Sequence, residues 1–251
     1  LPTRRDARLQ ILSVDQAQDM DLRGFTVVED AFSAATIGEL REEIDRLGAG
    51  AAEQSAVARS FCGSSFFQKV CHDVLNCDGV RLFDHRVECR EPGADPGTAF
   101  HQDIAQIFVE PLQYLTCWIA LDDADEISGG PWFVPGLFRR GPLRHDVDET
   151  TSELAISDIR SDDAIRVRLQ KGSVALYWSL TPHRTGANDT DKSGLAYICQ
   201  YAPDGYDDRI WDHVVNDGQG GPMADAARPV VDEARNFLVL PGSESRGADQ
   251  Q

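Results

Sequence analysis

The residues of this sequence best suited to chemistry are His101, Asp103 and His183. In an extended strand successive side chains alternate between faces, so His101 and Asp103 share one face and Gln102 points away. One imidazole and one carboxylate on a common face make half of a metal site. His183 ends an apolar, strand-like run that begins at Leu176, and it supplies a second imidazole. Two imidazoles and one carboxylate, with the other positions open, form the facial ligand set of non-haem Fe(II) oxygenases. Thiolates would instead point to zinc or a cluster. His-x-Asp is a short pattern, so the flanking sequence must carry the argument.

The elements that would position these residues follow in chain order. Residues 1–14 carry little pattern and read as a loose arm, with a short helix near residues 14–18 leading into a strand at 24–28. Ser33 reads as an N-cap for a helix whose apolar positions Ile37, Leu40, Ile44 and Leu47 form one stripe. Residues 53–63 are small and polar, a loop able to cover a pocket mouth, and residues 64–75 read as a second helix. Residues 81–90 alternate: Phe83, His85, Val87 and Cys89 on one side, Asp84, Arg86, Glu88 and Arg90 on the other. That polar face suits a wet cavity. Further strands are expected at 115–121, 132–134 and 165–169, from residue 174 through Trp178 to His183 at its end, and at 195–201, and residues 237–240 form one more apolar run. Residues 137–163 form a long charged insertion, the kind of loop that becomes a lid or substrate wall. Many short strands plus N-terminal helices predict a mainly β, α+β fold: a double-stranded β-helix (jelly roll) buttressed by helices, in one domain over residues 1–251.

Composition narrows the function. A net charge of −18 argues against nucleic acid or an anionic membrane as partner. No apolar run is long enough for a transmembrane helix, and the basic N-terminus lacks the apolar segment of a secretory signal. The six cysteines, Cys62, Cys71, Cys77, Cys89, Cys117 and Cys199, form no CxxC pair and read as reduced thiols of a cytoplasmic protein.

The stretches Leu115 to Asp125 and Gly129 to Gly136, with residues 24–30 and the helix around Leu40, resemble the core of the phytanoyl-CoA dioxygenase-like family. His183, Arg184, Thr185, Gly186, Ala187 and Asn188 resemble its distal His-Gly-Ser-Gly-x-Asn element, with Arg for the first Gly and Thr for Ser. The likeness covers roughly residues 20–202. It implies His101, Asp103 and His183 as catalytic iron ligands, with Fe(II), 2-oxoglutarate and O2 as cofactor and co-substrates. Trp118 and Thr185 match family positions near the co-substrate, and Gln102, between two ligands, is expected to join them as a co-substrate contact. Halogenating relatives replace the carboxylate with a small residue, so Asp103 disfavours halogenation.

The family arginine that holds the far carboxylate of 2-oxoglutarate stands eleven residues after the distal histidine, and that position here is Gly194. A guanidinium gives the strongest bidentate contact for this purpose. Three accounts compete. Lys192, of the same strand parity, or Arg184 substitutes locally; Arg86 or Arg90 reaches in from the neighbouring strand, Arg86 being favoured; or 2-oxoglutarate is not used. Asn188 matches a residue of loop geometry, and His72, His85, His145 and His213 read as structural or surface residues.

The sequence therefore points to a cytoplasmic Fe(II)- and 2-oxoglutarate-dependent oxygenase acting on a small organic molecule, in secondary-metabolite tailoring. Hydroxylation is the default outcome, with desaturation, epimerisation or cyclisation open to the same iron. The rivals are a cupin-like metal enzyme that uses no keto acid and a jelly-roll binding protein with vestigial ligands.

Overall fold

Alternating apolar and polar residues dominate the chain after residue 79, and they build two facing antiparallel sheets. The structure, a computed structural model, describes residues 8–48, 51–77, 79–93, 97–106, 112–147, 154–204 and 238–239. The part up to residue 75 is helical apart from one strand: α1 (Val14–Leu22), β1 (Phe25–Val28), α2 (Ala34–Leu47), α3 (Ala51–Gln54), α4 (Ala56–Cys62) and α5 (Ser65–Leu75). Strands β2 (Val80–Arg90), β3 (Leu115–Ala120), β4 (Pro131–Phe133), β5 (Asp146–Val147) and β6 (Leu154–Ala155) follow. The chain continues through β7 (Ile165–Arg166), β8 (Val174–Trp178), β9 (His183–Thr185), β10 (Gly194–Pro203) and β11 (Leu238–Val239).

The larger sheet has the order β1-β8-β3-β10-β2-β11 and the smaller β7-β4-β9. This is the double-stranded β-helix expected from the pattern. The larger sheet is two-sided. Tyr197, Cys199 and Tyr201 of β10 and Leu115, Cys117 and Ile119 of β3 are buried against Phe61, Phe67 and Val70 of the helical layer. Burying each such side chain is worth about 1.5–3 kcal/mol, so this contact anchors the sheet. The opposite face carries Trp118, Ala120, Ala175, Tyr177, Ala196 and Ile198, and meets Phe133 of the smaller sheet. That inner face holds the site.

Three local expectations are corrected. Part of the supposed loose arm is tethered: the buried Asp73 carboxylate accepts N–H bonds from Gln10, Ile11 and Leu12 at 2.8–3.1 Å, and Ser13 caps α1 in a capping box. Residues 53–63 do not cover a pocket mouth. Ser55 caps α4, whose Phe61 packs edge-on against Tyr197 on the helical side, behind the sheet. The described parts of the 137–163 insertion lie against the His101 segment, Ile156 N–H donating to the Phe100 carbonyl and Gln102 N–H to His145 Nε2. Finally, His183 does not continue β8, because a turn at residues 179–182 carries the chain into the smaller sheet. Of the apolar run at 237–240, Leu238 and Val239 pair with β2; most of the tail lies outside the described residues. No described helix is long and apolar enough to cross a membrane.

Candidate metal centre

His101 and His183 are joined by their main chains. Each backbone N–H donates to the other's carbonyl oxygen at 2.9 Å, a single bridge that sets the two rings side by side with centroids 4.4 Å apart. Their ring nitrogens are sorted by the same local device. His101 Nδ1 lies 2.9 Å from the Ala99 carbonyl oxygen, and His183 Nδ1 lies 2.9 Å from that of Thr181. A carbonyl can only accept, so Nδ1 carries the proton and Nε2 keeps its lone pair.

Asp103 begins a short 3-10 turn, Asp103–Ala105, preceded by the extended Gln102. It still shares the face of His101, as strand parity requires. Its Oδ2 accepts from the Thr116 hydroxyl at 2.6 Å and the Gln200 amide at 3.1 Å. Its Oδ1 is buried without a hydrogen-bond partner, 3.5 Å from His183 Nε2 and 3.9 Å from His101 Nε2. One donor atom from each of the three residues lies within 4.8 Å of the others. An orphaned carboxylate oxygen facing two imidazole lone pairs is costly in itself and suits a divalent cation.

Electrostatics agree. Burial pushes His183 down to about 4 despite the nearby Asp103, so the ring is neutral at physiological pH. Burial would raise Asp103, but His183, Arg86, His101 and the Thr116 hydroxyl outweigh it and hold the carboxyl below its usual range. A neutral His183 and an ionised Asp103 are protonation states that ligation needs.

The sheet register sorts the remaining candidates. Residues directly opposite share a face, so the inner surface is built in rows: Asp84–Gln200–Thr116–Tyr177, then Arg86–Ile198–Trp118–Ala175, then Glu88–Ala196–Ala120, and lastly Arg90–Gly194. The polar face of β2 therefore lines the cavity, as expected. Within it, the residue directly opposite Gly194 is Arg90, and Arg86 stands opposite Ile198. The Arg90 side chain is buried and its Nη2 bonds both the Glu88 carboxylate and the Thr185 hydroxyl. Thr98 joins this group, its hydroxyl 3.2 Å from that of Thr185. A small pocket opens here, lined by Arg90, Trp118, Ser128, Gly129 and Gly194. Trp118 Nε1 is buried beside it with no hydrogen-bond partner.

The other predicted contacts lie elsewhere. Arg86 stands two rows nearer the metal ligands, bonded to Asp84 at 2.6 Å, and burial is outweighed by Asp84 and Asp103, which keep it fully charged. Lys192 is exposed in the turn before β10, so strand parity does not apply to it. Arg184 faces outward, over the rings of Phe100 and Trp132. Gln102 is wholly buried with its amide spent on structure: Nε2 donates to the carbonyls of Gly141 and Leu180, and Oε1 accepts from Leu143 N–H. Asn188 shapes its loop, donating to the carbonyls of Arg90 and Lys192 at 2.8 Å. Sequence reasoning missed Thr116, Gln200, Thr98 and His145. The first two had a signal, being polar residues at inward positions of otherwise apolar strands.

The family model for phytanoyl-CoA dioxygenase matches residues 53–194, more than half of the chain. The chain belongs to the phytanoyl-CoA dioxygenase family. Among related sequences, phytanoyl-CoA dioxygenase domain-containing protein 1 of Danio rerio is 29% identical over 116 residues, 43% of this chain and 40% of that protein. The match thus spans less than half the length of that family member. Among solved structures, the non-haem α-ketoglutarate-dependent carbocyclase SnoK from nogalamycin biosynthesis superposes with a TM-score of 0.70 at 18% identity, covering 92% of this chain and 97% of SnoK. EvdO2 from Micromonospora carbonacea var. aurantiaca, complexed with 2-oxoglutarate, gives 0.66 at 19% identity, covering 81% and 95%. These likenesses, across nearly the whole of the two solved enzymes, place the dioxygenase family's fold on this chain.

Proposed function

We propose that this chain is an Fe(II)- and 2-oxoglutarate-dependent oxygenase that modifies a small organic molecule in secondary metabolism. The observation that carries the reading is the buried, unpartnered Asp103 Oδ1 facing two imidazole lone pairs. His101, Asp103 and His183 would hold the iron. When bound, iron with 2-oxoglutarate and dioxygen supplies the oxidising power that removes hydrogen from an unactivated C–H bond. Six free thiols fit a reducing, cytoplasmic setting, and the acidic surface fits a small-molecule substrate better than a nucleic acid.

The chain's own residues supply position and charge. Ala99 and Thr181 fix both histidine tautomers, while Thr116 and Gln200 turn the carboxylate so that only one oxygen faces the imidazoles. Along β9, Thr185 lies two residues from His183, about 6.6 Å on the same face. That separation suits a keto acid chelated at one end and clamped at the other. Arg90 and the Thr185 hydroxyl would take the far carboxylate, and Trp118 Nε1 offers a further donor along the way. Trp118, Ile198, Ala196 and Phe133 form apolar walls that keep water from the reacting centre.

The test is an anaerobic titration of the iron-loaded protein with 2-oxoglutarate, following the weak visible charge-transfer band of a chelated keto acid. The parent protein should develop the band and, with oxygen, form succinate. His183→Ala should do neither. Tight metal binding with no band and no succinate would favour a cupin-like enzyme that uses no keto acid.

A further inference from the structure

The segment that carries His101 and Asp103 is gripped from two sides. On one side lies β9, through the His101–His183 bridge and the Thr98 N–H to Thr185 carbonyl bond of 3.1 Å. On the other lies the insertion. Ile156 N–H donates to the Phe100 carbonyl at 2.7 Å, and the arch from Gly141 to His145 closes over Gln102. Every polar group of the Gln102 side chain is engaged, and its backbone N–H donates to His145 Nε2 at 2.9 Å.

His145 is matched to this task. Its Nδ1 faces the Leu143 carbonyl oxygen at 2.9 Å and must carry the proton, which leaves Nε2 as an acceptor. The ring is buried, 4% exposed, and its partner is the residue between two metal ligands. Through Leu180, the same Gln102 amide also touches the turn that leads to His183. One buried glutamine thus ties together the approaches to all three ligands, and one histidine of the insertion fixes that glutamine's backbone.

We propose that His145 is a positioning residue that sets the geometry of the metal ligands through Gln102, making the insertion a clasp on the metal site. The proposal rests on the assignment of His101, Asp103 and His183 as ligands. An acceptor lost at 145 leaves the Gln102 N–H buried and unpaired, and the His101–Asp103 turn relaxes toward another partner. Groups that orient ligands from behind typically change metal affinity 10- to 100-fold.

The experiment titrates chelator-stripped protein with Co(II), reading affinity by calorimetry and ligand geometry by the d–d spectrum, beside the melting temperature of the metal-free form. His145→Leu should lose about 10- to 100-fold in Co(II) affinity and alter the spectrum while the metal-free protein still melts cooperatively. His145→Gln keeps an acceptor near the same place and should restore most of both. Unchanged affinity and spectrum in His145→Leu would overturn the proposal, as would a loss that Gln fails to rescue. Should His145→Leu not fold, His145→Phe, which keeps a ring of similar shape without the acceptor, is measured instead, and parent-like Co(II) binding there overturns the proposal. His101→Ala separates the two readings: if it binds Co(II) like the parent, the ligand assignment itself is wrong.

Discussion

Replacing Arg90 tests whether the clamp has moved from the last strand to its neighbour. The Arg90 side chain is 10% exposed, so solvent screens little of any contact it makes. Hydrogen bonds to charged groups are worth about 1.5–3 kcal/mol each. A two-pronged guanidinium–carboxylate pair that replaces existing water contacts should contribute about 2–4 kcal/mol, or roughly 30- to 1000-fold in 2-oxoglutarate affinity. Arg90→Met alone would also strand the Glu88 carboxylate, 19% exposed, so Arg90→Met with Glu88→Gln is the cleaner variant. Space exists for restoration: a Cβ at Gly194 meets the Ser128 carbonyl at 3.3 Å and Arg90 Cβ at 3.9 Å, so Gly194→Arg in that background needs only a small shift. The assay is the anaerobic charge-transfer titration. We expect the double variant to lose binding by the stated factor, Gly194→Arg to recover part of it, and Arg86→Met to stay within about threefold of the parent, about 0.6 kcal/mol. Parent-like affinity without Arg90, together with loss in Arg86→Met, would refute the register argument.

The residues behind Asp103 should matter nearly as much as the ligand itself. Thr116→Val or Gln200→Leu should each weaken Fe(II) binding about tenfold in a competition with a coloured chelator, and unchanged affinity in both would remove their orienting role. Asp73 gives the pH dependence. Burial alone would raise its carboxyl, but the N–H groups of Leu12, Ile11 and Gln10, with His72, hold it below the usual range. A folded pKa below the unfolded one means the stabilisation is present above about pH 4 and is lost as pH falls through the folded value. Asp73→Asn should therefore cost about 1.5–3 kcal/mol at pH 7 by chemical denaturation, and the gap from the parent should close in more acidic buffer. A gap that persists unchanged at pH 3 would contradict this.

The clustering of His101, Asp103 and His183 was legible because it follows from residue type and a parity rule that survives small irregularities. Asp103 kept the face of His101 even though it opens a 3-10 turn. The polar face of β2 was legible for the same reason. Which of Arg86 and Arg90 lies opposite Gly194 was not, since both have the same parity and register is fixed by long-range pairing, not by local pattern. Lys192 misled because the turn ends one residue before β10 begins, at Ser193. Residues 53–63 misled because small residues suit both a loop and a short helix. Ser55 and buried Phe61 decide the matter only once the sheet is there to pack against. His145 had no readable signal, being a lone histidine in a charged stretch whose partner lies 43 residues away.

The doubled main-chain bond between His101 and His183 also bears on how the protein would acquire a metal. Both imidazole carriers are locked together by backbone, so the binding geometry belongs to the folded chain and does not wait for an ion. Loading can follow synthesis, and stripping need not unfold the product. The same rigidity is indiscriminate. Nitrogen and oxygen donors of this kind take Ni(II), Cu(II) and Zn(II) more tightly than Fe(II) by intrinsic affinity. Iron occupancy is then decided by which ions surround the finished chain, and a preparation rich in zinc or nickel would be a correctly folded protein carrying the wrong ion.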